Sequence, residues 1–571
     1  IRNTGRNNVS ISANSGVAAA WALHRYLTGY CSAMVSWSGT QVALPPDRLP
    51  MLPSGQLTLE SQDVYTVMPN VVTFSYSYVW WRFSDWERHI DWMALHGVNL
   101  AYALTGQERV MAGAMSHFGL TEADLVQYFP GPAFLAWGRM GNLKAWGGPL
   151  SKAWCDSQVD LQRRILDRMA ALGITSVLQG FSGMVPDSVY FVNPNDPMFT
   201  NLSAAVIKEN VKVFGHVTHH YAMDPFNENL PSNGVLQSWF LNNAADFWTI
   251  NRAKAFFEPI NMTHLLVMEL WGETVNLAQQ LDGFFGHNFV WTALHNFGGN
   301  NAMYGQLQNF GQHGPFGLRR QFPGNMLGTG IQPEGIGQNE VVYELVMEFN
   351  WRAEQPESLA EWIRDYARRR YGRPDRNLLD AWEGLLSTVY NTPHTGMLTP
   401  VLVLRPSLSL SENANYNVTL VESAWRLLIA TNQSDNAMLN YDQVDLTRQM
   451  LQIRFHQYYT VLKQAAHTEN ATAVEASGAT MLGLLDRMEK LLQTDERFLL
   501  QRLINSAKSF AASPSEIGLY EFNIRNQLTC WGPGPNTIQD YAARMYSGLL
   551  AGYYRPRWAL FLHQLATAIR Q

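Results

Sequence analysis

Between residues 70 and 331 the chain alternates strand-like and helix-like patterns, and this alternation constrains the fold more than any other feature. Apolar, β-rich runs occur at 73–81, 98–104, 174–181, 218–227, 235–240, 264–271, 287–296 and 326–331, with helical patterns between most of them. About eight strands separated by helices predict a (β/α)8 barrel, whose reactive loops follow the carboxyl end of each strand. Local signals mark boundaries. Ser84-Asp85-Trp86-Glu87 is a capping-box pattern, and the helix after it stops at Gly97. Leu161, Ile165, Met169 and Leu172 share a helical face that ends at Gly173. One connection conflicts with the pattern. Six residues separate Glu228 from Val235, whereas a parallel crossover needs about a dozen or more. The spacing favours residues missing from the chain at this point.

Two different patterns flank the barrel. Residues 9–13 alternate like a half-buried strand, and Ser15-Gly16 opens an Ala-rich helical run over 17–27. From about 356 the pattern is helical. Leu359, Trp362, Ile363 and Tyr366 form one face that stops at Gly372, and amphipathic stretches follow at 377–390, 421–430, 443–464, 473–493 and 536–568. The predicted architecture is multidomain α/β: a small N-terminal α/β domain (1–64), a central (β/α)8 TIM barrel (65–355) and an all-α C-terminal domain (356–571).

Composition excludes several classes. A hydrophobic content of 46% with 15% charged residues describes a folded chain, and a net charge of -6 gives no signature of nucleic-acid binding. No run of about 18 apolar residues spans a membrane. Cys31, Cys155 and Cys530 are isolated, which excludes a cysteine-ligated zinc module and a disulfide-rich scaffold. Glycosylation sequons stand at Asn8, Asn201, Asn261, Asn417, Asn432 and Asn470, a mild secretory signal. Ile1 is not an initiator residue, so a processed or incomplete chain is expected. The 19 Trp suit sugar recognition, because a pyranose face stacks on an indole.

No GxxxxGKS/T, HExxH or GxSxG motif is present, which removes the simplest nucleotide, zinc-protease and serine-esterase readings. Carboxylates do collect at predicted strand ends: Glu108, Asp224, Glu228, Glu269, Glu273 and Glu334. Paired carboxylates there are what glycoside cleavage requires, one to protonate the leaving oxygen and one to attack the anomeric carbon. Spacing shortlists the set without choosing two, and each is equally readable as an ion pair. His295-Asn296-Phe297-Gly298-Gly299-Asn300 ends another strand and reads either as a site loop or as a barrel-top turn.

Several segments are specific together: 16–27 (GVAAAWALHRYL), 90–100 (IDWMALHGVNL), 131–142 (GPAFLAWGRMGN), Phe226-Asn227-Glu228, 295–300, 333–343 (PEGIGQNEVVY), 441–449 (YDQVDLTRQ) and 553–562 (YYRPRWALFL). On these the chain resembles the α-N-acetylglucosaminidases of glycoside hydrolase family 89, which include an animal lysosomal enzyme that trims heparan sulfate. The resemblance implies that Glu228 is the general acid/base and Glu334 the nucleophile. It implies that Asn70, Trp137, Asn227, Trp239, Trp531 and Tyr541 line the pocket for the terminal sugar, with His295 and Asn296 in a matching motif. It further implies no metal or organic cofactor, a glycan partner ending in α-linked N-acetylglucosamine, a lysosomal or secreted location and a possible homo-oligomer. Departures are Val72, where the lysosomal enzyme has Cys, an added residue at Thr537, shorter stretches after Val192 and Glu228, and an early end at Gln571.

The implied chemistry is retaining. In an α-linkage the 2-acetamido group lies cis to the leaving oxygen and cannot attack from the opposite face, so the protein must supply the nucleophile. Glu228 must start protonated and Glu334 ionised, with the carboxyl groups about 5–5.5 Å apart. Competing readings are another α-glycosidase or α-glucuronidase, and a catalytically silent carbohydrate-binding or assembly protein on the same fold.

Overall fold

A computed structural model describes all residues except 6, 45–47, 186–189, 193–195, 225–247, 374, 393–397, 413–414, 433–434 and 535–537. The chain opens with an antiparallel pair, Arg2–Gly5 with Asn8–Ser10. Helix α1 (Gly16–Tyr30) follows, its first turn capped by the Ser15 hydroxyl, which accepts from the Ala18 N–H at 3.1 Å. Tyr26, Cys31, Ala33 and Leu52 form a small core of their own beside these elements.

Seven strands then build one parallel sheet: β1 (Tyr65–Met68), β2 (Leu100–Tyr102), β3 (Thr175–Gln179), β4 (His220–Ala222), β5 (Leu266–Glu269), β6 (Asn288–Ala293) and β7 (Met326–Ile331). Their order is β4-β3-β2-β1-β7-β6-β5, and every pairing is parallel. The first and last strands in the chain, apart from the edges, meet as β1 and β7, which is the closing contact of a TIM barrel. The run predicted as a strand at 235–240, and the short connection before it, lie outside the described residues between β4 and β5. The inner strands β1, β2, β3, β6 and β7 are mostly buried on both faces, as a parallel sheet covered by helices requires, while β4 and most of β5 are half-buried.

The covering helices include α2 (Phe83–Leu95), α3 (Gln107–Ser116), the short α4 (Leu135–Arg139), α5 (Lys152–Leu172) and α6 (Pro197–Phe214). Helix α5 ends at Gly173 in the left-handed conformation (φ 81°), as its sequence pattern predicts. Two expectations fail here. The run 73–81 is not the first strand: Thr73–Tyr76 is a helical turn, and the strand is the preceding Tyr65–Met68. Thr73 is instead needed for a side-chain bond, because its hydroxyl donates to Pro333 O at 2.6 Å. The cap of α2 also sits earlier than Ser84, at Arg82, whose N–H donates to Asp85 at 3.0 Å.

After β7 come α7 (Glu340–Met347), which closes the barrel region, and then α8 (Leu359–Tyr371), α9 (Arg376–Leu386), α10 (Val418–Ala430), α11 (Ala437–His467), α12 (Ala471–Leu492), α13 (Leu500–Lys508), α14 (Pro514–Leu528) and α15 (Arg555–Arg570). Gly372 stops α8 in the left-handed region (φ 75°). Among the described residues from 356 on, no extended strand forms. The predicted helical stretch 536–568 is corrected: its helical part begins with a π-turn at Leu550–Tyr554, and Asp540 and Ala543 before it have positive φ. One continuous apolar core runs through barrel and helices. Among the described residues, no helix is long and apolar enough to cross a membrane.

Candidate active site

Strands β1 and β7 are neighbours, and their carboxyl ends are tied together by side chains. The Asn70 amide Nδ2 donates to Gln332 O at 3.0 Å, while its Oδ1 accepts from Val72 N–H at 3.0 Å. Both bonds are buried, where leaving such groups unpaired costs about 1–3 kcal/mol each. They fix the segment that delivers Glu334.

Glu334 is half-buried at this end of the barrel. Its backbone N–H donates to Asn296 O at 2.9 Å. Its Oε2 accepts from the Gly298 N–H at 2.7 Å, and the Tyr541 hydroxyl lies 3.1 Å from Oε1 and 2.9 Å from Oε2. Three distant parts of the sequence thus converge on one carboxylate. The approach is close enough to require glycine. Gly298 has φ 61°, and a Cβ there would stand 2.8 Å from Tyr541 O; one on Gly335 would stand 2.5 Å from the Gly299 Cα.

An aromatic wall stands beside this carboxylate. The Trp137 and Trp531 rings meet edge to face at 4.5 Å, and Tyr76 meets Trp137 at 5.0 Å. The Trp531 indole N–H donates to the Tyr76 hydroxyl at 3.0 Å, and Tyr76 stacks on Tyr541 at 6.4 Å. Helix α14 clamps the wall from outside, since Gln527 Nε2 donates to Ser75 O at 2.8 Å and Ala133 O at 2.6 Å. Tyr76 was not singled out by sequence reasoning. No spacing signal marks it within the aromatic run 74–81.

The remaining expected residues divide. His295 has φ 56°, stacks on Tyr304 at 5.7 Å and meets the edge of Tyr343 at 5.5 Å. Burial holds its imidazole neutral, with a pKa lowered to about 3. Asn296 spends its side chain on its own turn, accepting from Gly299 N–H and donating to Asn300 O, both at 2.9 Å. Asn227, Glu228 and Trp239 lie outside the described residues.

Three other shortlisted carboxylates are engaged. Glu108 forms a two-bond pair with Arg139 at 2.7 and 3.0 Å. Glu269 accepts from Ala278 N–H at 2.9 Å, and Glu273 accepts from Leu294 N–H at 3.0 Å and His295 N–H at 2.8 Å. Burial pushes both Glu269 and Glu273 up to about 7. Asp224 follows β4 and is half-buried.

One group with metal-ligand spacing exists among the described residues: His24, His96 and Glu344, all buried. It sits at the opposite end of the barrel, since His96 precedes β2. Two of its members, His96 and Glu344, already bond each other. His96 Nε2 is 2.7 Å from Glu344 Oε1 and its Nδ1 is 2.8 Å from Trp92 O, with Arg369 3.6 Å from Glu344. This set reads as a charge-balanced junction rather than a cation site.

Comparison with known proteins decides the family. Models of the α-N-acetylglucosaminidase N-terminal, TIM-barrel and C-terminal domains match residues 1–51, then 67–190, 187–234 and 232–353, then 362–571. The chain belongs to the α-N-acetylglucosaminidase family, glycoside hydrolase family 89. This glycoside hydrolase is 38% identical to the human α-N-acetylglucosaminidase over 99% of its own length and 83% of the relative's. It is also similar to a family 89 glycoside hydrolase from Clostridium perfringens in complex with PUGNAc, with TM-score 0.89 and 26% identity, covering 98% of this chain and 69% of that one. The Clostridium perfringens enzyme in complex with its substrate GlcNAc-α-1,4-galactose matches with TM-score 0.88 and 25% identity, covering 100% and 70%.

Proposed function

We propose that this protein is a retaining exo-glycosidase that removes terminal, non-reducing α-linked N-acetylglucosamine, with Glu334 as nucleophile and Glu228 as acid/base. The observation that carries the reading is the setting of Glu334. It stands at a barrel strand end, gripped by the Gly298 N–H and the Tyr541 hydroxyl, beside the Tyr76–Trp137–Trp531 wall. Both donors suit a charged carboxylate.

In the first step Glu228 gives its proton to the glycosidic oxygen while a Glu334 oxygen bonds the anomeric carbon from the opposite face, and the aglycone leaves. In the second, Glu228 takes a proton from water, whose oxygen displaces Glu334 and restores the α-configuration. Trp137, Trp239 and Trp531 close the pocket around one terminal sugar, with Asn70, Asn227, His295 and Asn296 contacting it or holding its rim. We assign the natural substrate to heparan sulfate or related glycans and the location to the lysosome or the secreted fraction. All six sequon asparagines are exposed. In Asn261, Asn417 and Asn470 the side-chain oxygen caps a helix, which leaves Nδ2 for a glycan. We divide the chain at 64/65 and 355/356, and we infer self-association through the helical domain.

The test is hydrolysis of an aryl α-N-acetylglucosaminide, with the first-formed anomer read by NMR, for the natural chain and for Glu228→Gln and Glu334→Gln. An α-anomer from the natural chain and loss in both variants support the reading. A β-anomer as first product rules out retention, and an inactive natural chain favours the binding-protein alternative.

A further inference from the structure

We propose that Glu273 is a positioning residue for Glu334: it pins the turn whose backbone grips that carboxylate. The inference rests on the reading of Glu334 as nucleophile. Glu273 is one of the strand-end carboxylates that the glycosidase chemistry leaves unused, and it is 4% exposed. It follows β5, while the turn it holds follows β6.

The contact is built from backbone geometry. The N–H groups of Leu294 and His295 point at the same carboxylate, and the chain then turns at His295, which has φ 56°. Successive N–H groups arranged this way form a small anion-binding concavity. The Glu273 carboxylate fills it, with Leu294 N 3.0 Å from both oxygens and His295 N 2.8 Å from Oε1. One and three residues beyond His295, the same turn meets Glu334 twice, through Asn296 O at 2.9 Å and Gly298 N at 2.7 Å. The Asn296 side chain stiffens the link by bonding Gly299 and Asn300 at 2.9 Å. The neighbouring segment adds support, since Gly272 N–H donates to Thr292 O at 2.9 Å and Trp271 meets Phe297 at 5.5 Å.

Displacing the turn therefore moves the Gly298 donor and the Glu334 backbone together. The Tyr76–Trp137–Trp531 wall is carried by other segments, so the chemical step is affected more than ground-state binding. A displacement of about 1 Å at a reacting group costs on the order of 100-fold in rate.

The experiment compares the full chain with Glu273→Ala and Glu273→Gln, measuring kcat and KM on an aryl α-N-acetylglucosaminide and hydrogen–deuterium exchange of the peptide covering 294–300. The expected result is about a 100-fold fall in kcat for Glu273→Ala with KM within about twofold, and faster exchange in that peptide. Glu273→Gln, which keeps one carbonyl acceptor, falls between Ala and the natural residue; if the Ala variant does not fold, the Gln variant carries the same readouts. An unchanged kcat, a KM that rises as far as kcat falls, or natural exchange at 294–300 overturns the proposal. Faster exchange at 294–300 in Glu273→Ala, beside a natural chain that never hydrolyses the substrate, overturns the glycosidase reading, and the kinetic role of Glu273 with it.

Discussion

Glu334 and Glu340 belong to the same strand-to-helix connection after β7, yet they are held by opposite means. Glu340 is buried, and its Oε2 lies 2.6 Å from Arg370 Nη1, while Ser38 donates to its carboxylate from N–H at 2.6 Å and from Oγ at 2.7 Å. Arg370 also bonds Asp442 at 2.6 and 2.7 Å, and Tyr371 donates to Asp442 at 2.6 Å. Burial, the largest single influence, raises the Glu340 pKa, but Arg370 and the two Ser38 donors together outweigh it and hold the carboxyl below its usual range. Two donors to Glu334, the Gly298 N–H and the Tyr541 hydroxyl, are neutral instead. A guanidinium locks a carboxylate into one geometry and withdraws its charge; neutral donors orient it and leave the charge available for attack. The first arrangement joins the N-terminal segment, the barrel and helices α8 and α11. The second suits the attack proposed for Glu334.

The strongest way to break this contrast is to neutralise each side. Glu334→Gln keeps the shape and removes the attacking oxygen, so kcat should fall by at least about 1,000-fold, with the melting temperature unchanged by calorimetry. Arg370→Met should do the reverse. It strands Glu340 and Asp442 without a cation, which costs about 3–5 kcal/mol of folding free energy, while kcat per folded molecule is retained. Denaturant titration beside steady-state kinetics separates the two. A stable but inactive Arg370 variant would erase the distinction.

Tyr541→Phe sharpens the comparison by removing one neutral donor and leaving Gly298. We expect about a 100-fold loss in kcat, with binding of a ground-state sugar analogue little changed. Equal losses in kcat and in analogue binding would make Tyr541 a substrate contact instead.

Much of this arrangement is written in local sequence, and the rest is imposed by packing. The stops at Gly173 and Gly372 and the cap at Ser15 follow from backbone chemistry that each residue carries by itself. The reading of 73–81 as a strand failed because aromatic and β-branched residues satisfy strand propensity equally well in a buried turn. The stretch near Ala542-Ala543-Arg544 has good helix formers, yet its backbone wedges against Gly298, the Arg544 side chain packs on Gly299, and it is not helical. Helix α14 was missed although Ser513-Pro514-Ser515-Glu516 carries a capping box with Pro at the first turn. In the site, strand-end carboxylates were legible from period and spacing, but the choice of Glu334 came from the family resemblance. Convergence of Gly298, Glu334 and Tyr541 joins three remote stretches, which no local pattern encodes.

A smaller effect appears in stability against pH. Glu269 and Glu273 titrate at about 7 when folded and 4.5 as free side chains, so between those values the folded state holds protons the unfolded state has lost. Their contribution is full below 4.5 and declines as pH rises toward 7. His89 and His295 are lowered from 6.5 to about 3, so the unfolded state takes protons that the folded state refuses, and their contribution declines as pH falls from 6.5. Over 4.5 to 6.5 these two carboxyls oppose these two imidazoles, and His24, also lowered by burial, adds to the imidazole side. Glu269→Gln removes one carboxyl, so the slope of stability against pH across that window should become more positive by about 1.4 kcal/mol per unit. Urea midpoints at pH 4.5, 5.5 and 6.5 read this directly; a more negative slope would reverse the assignment.

The smallest effect isolates solvent from pairing. Arg320 and Glu354 meet at 2.7 Å, as close as Arg370 and Glu340, but their side chains are 63% and 65% exposed. Water already solvates both charges, so the pair gains little Coulomb energy and loses side-chain entropy. Arg320→Ala should change unfolding free energy by no more than about 0.5 kcal/mol, against the several expected for Arg370→Met. Similar losses from both variants would mean that contact distance governs these pairs, and the contrast between Glu340 and Glu334 would then owe nothing to burial.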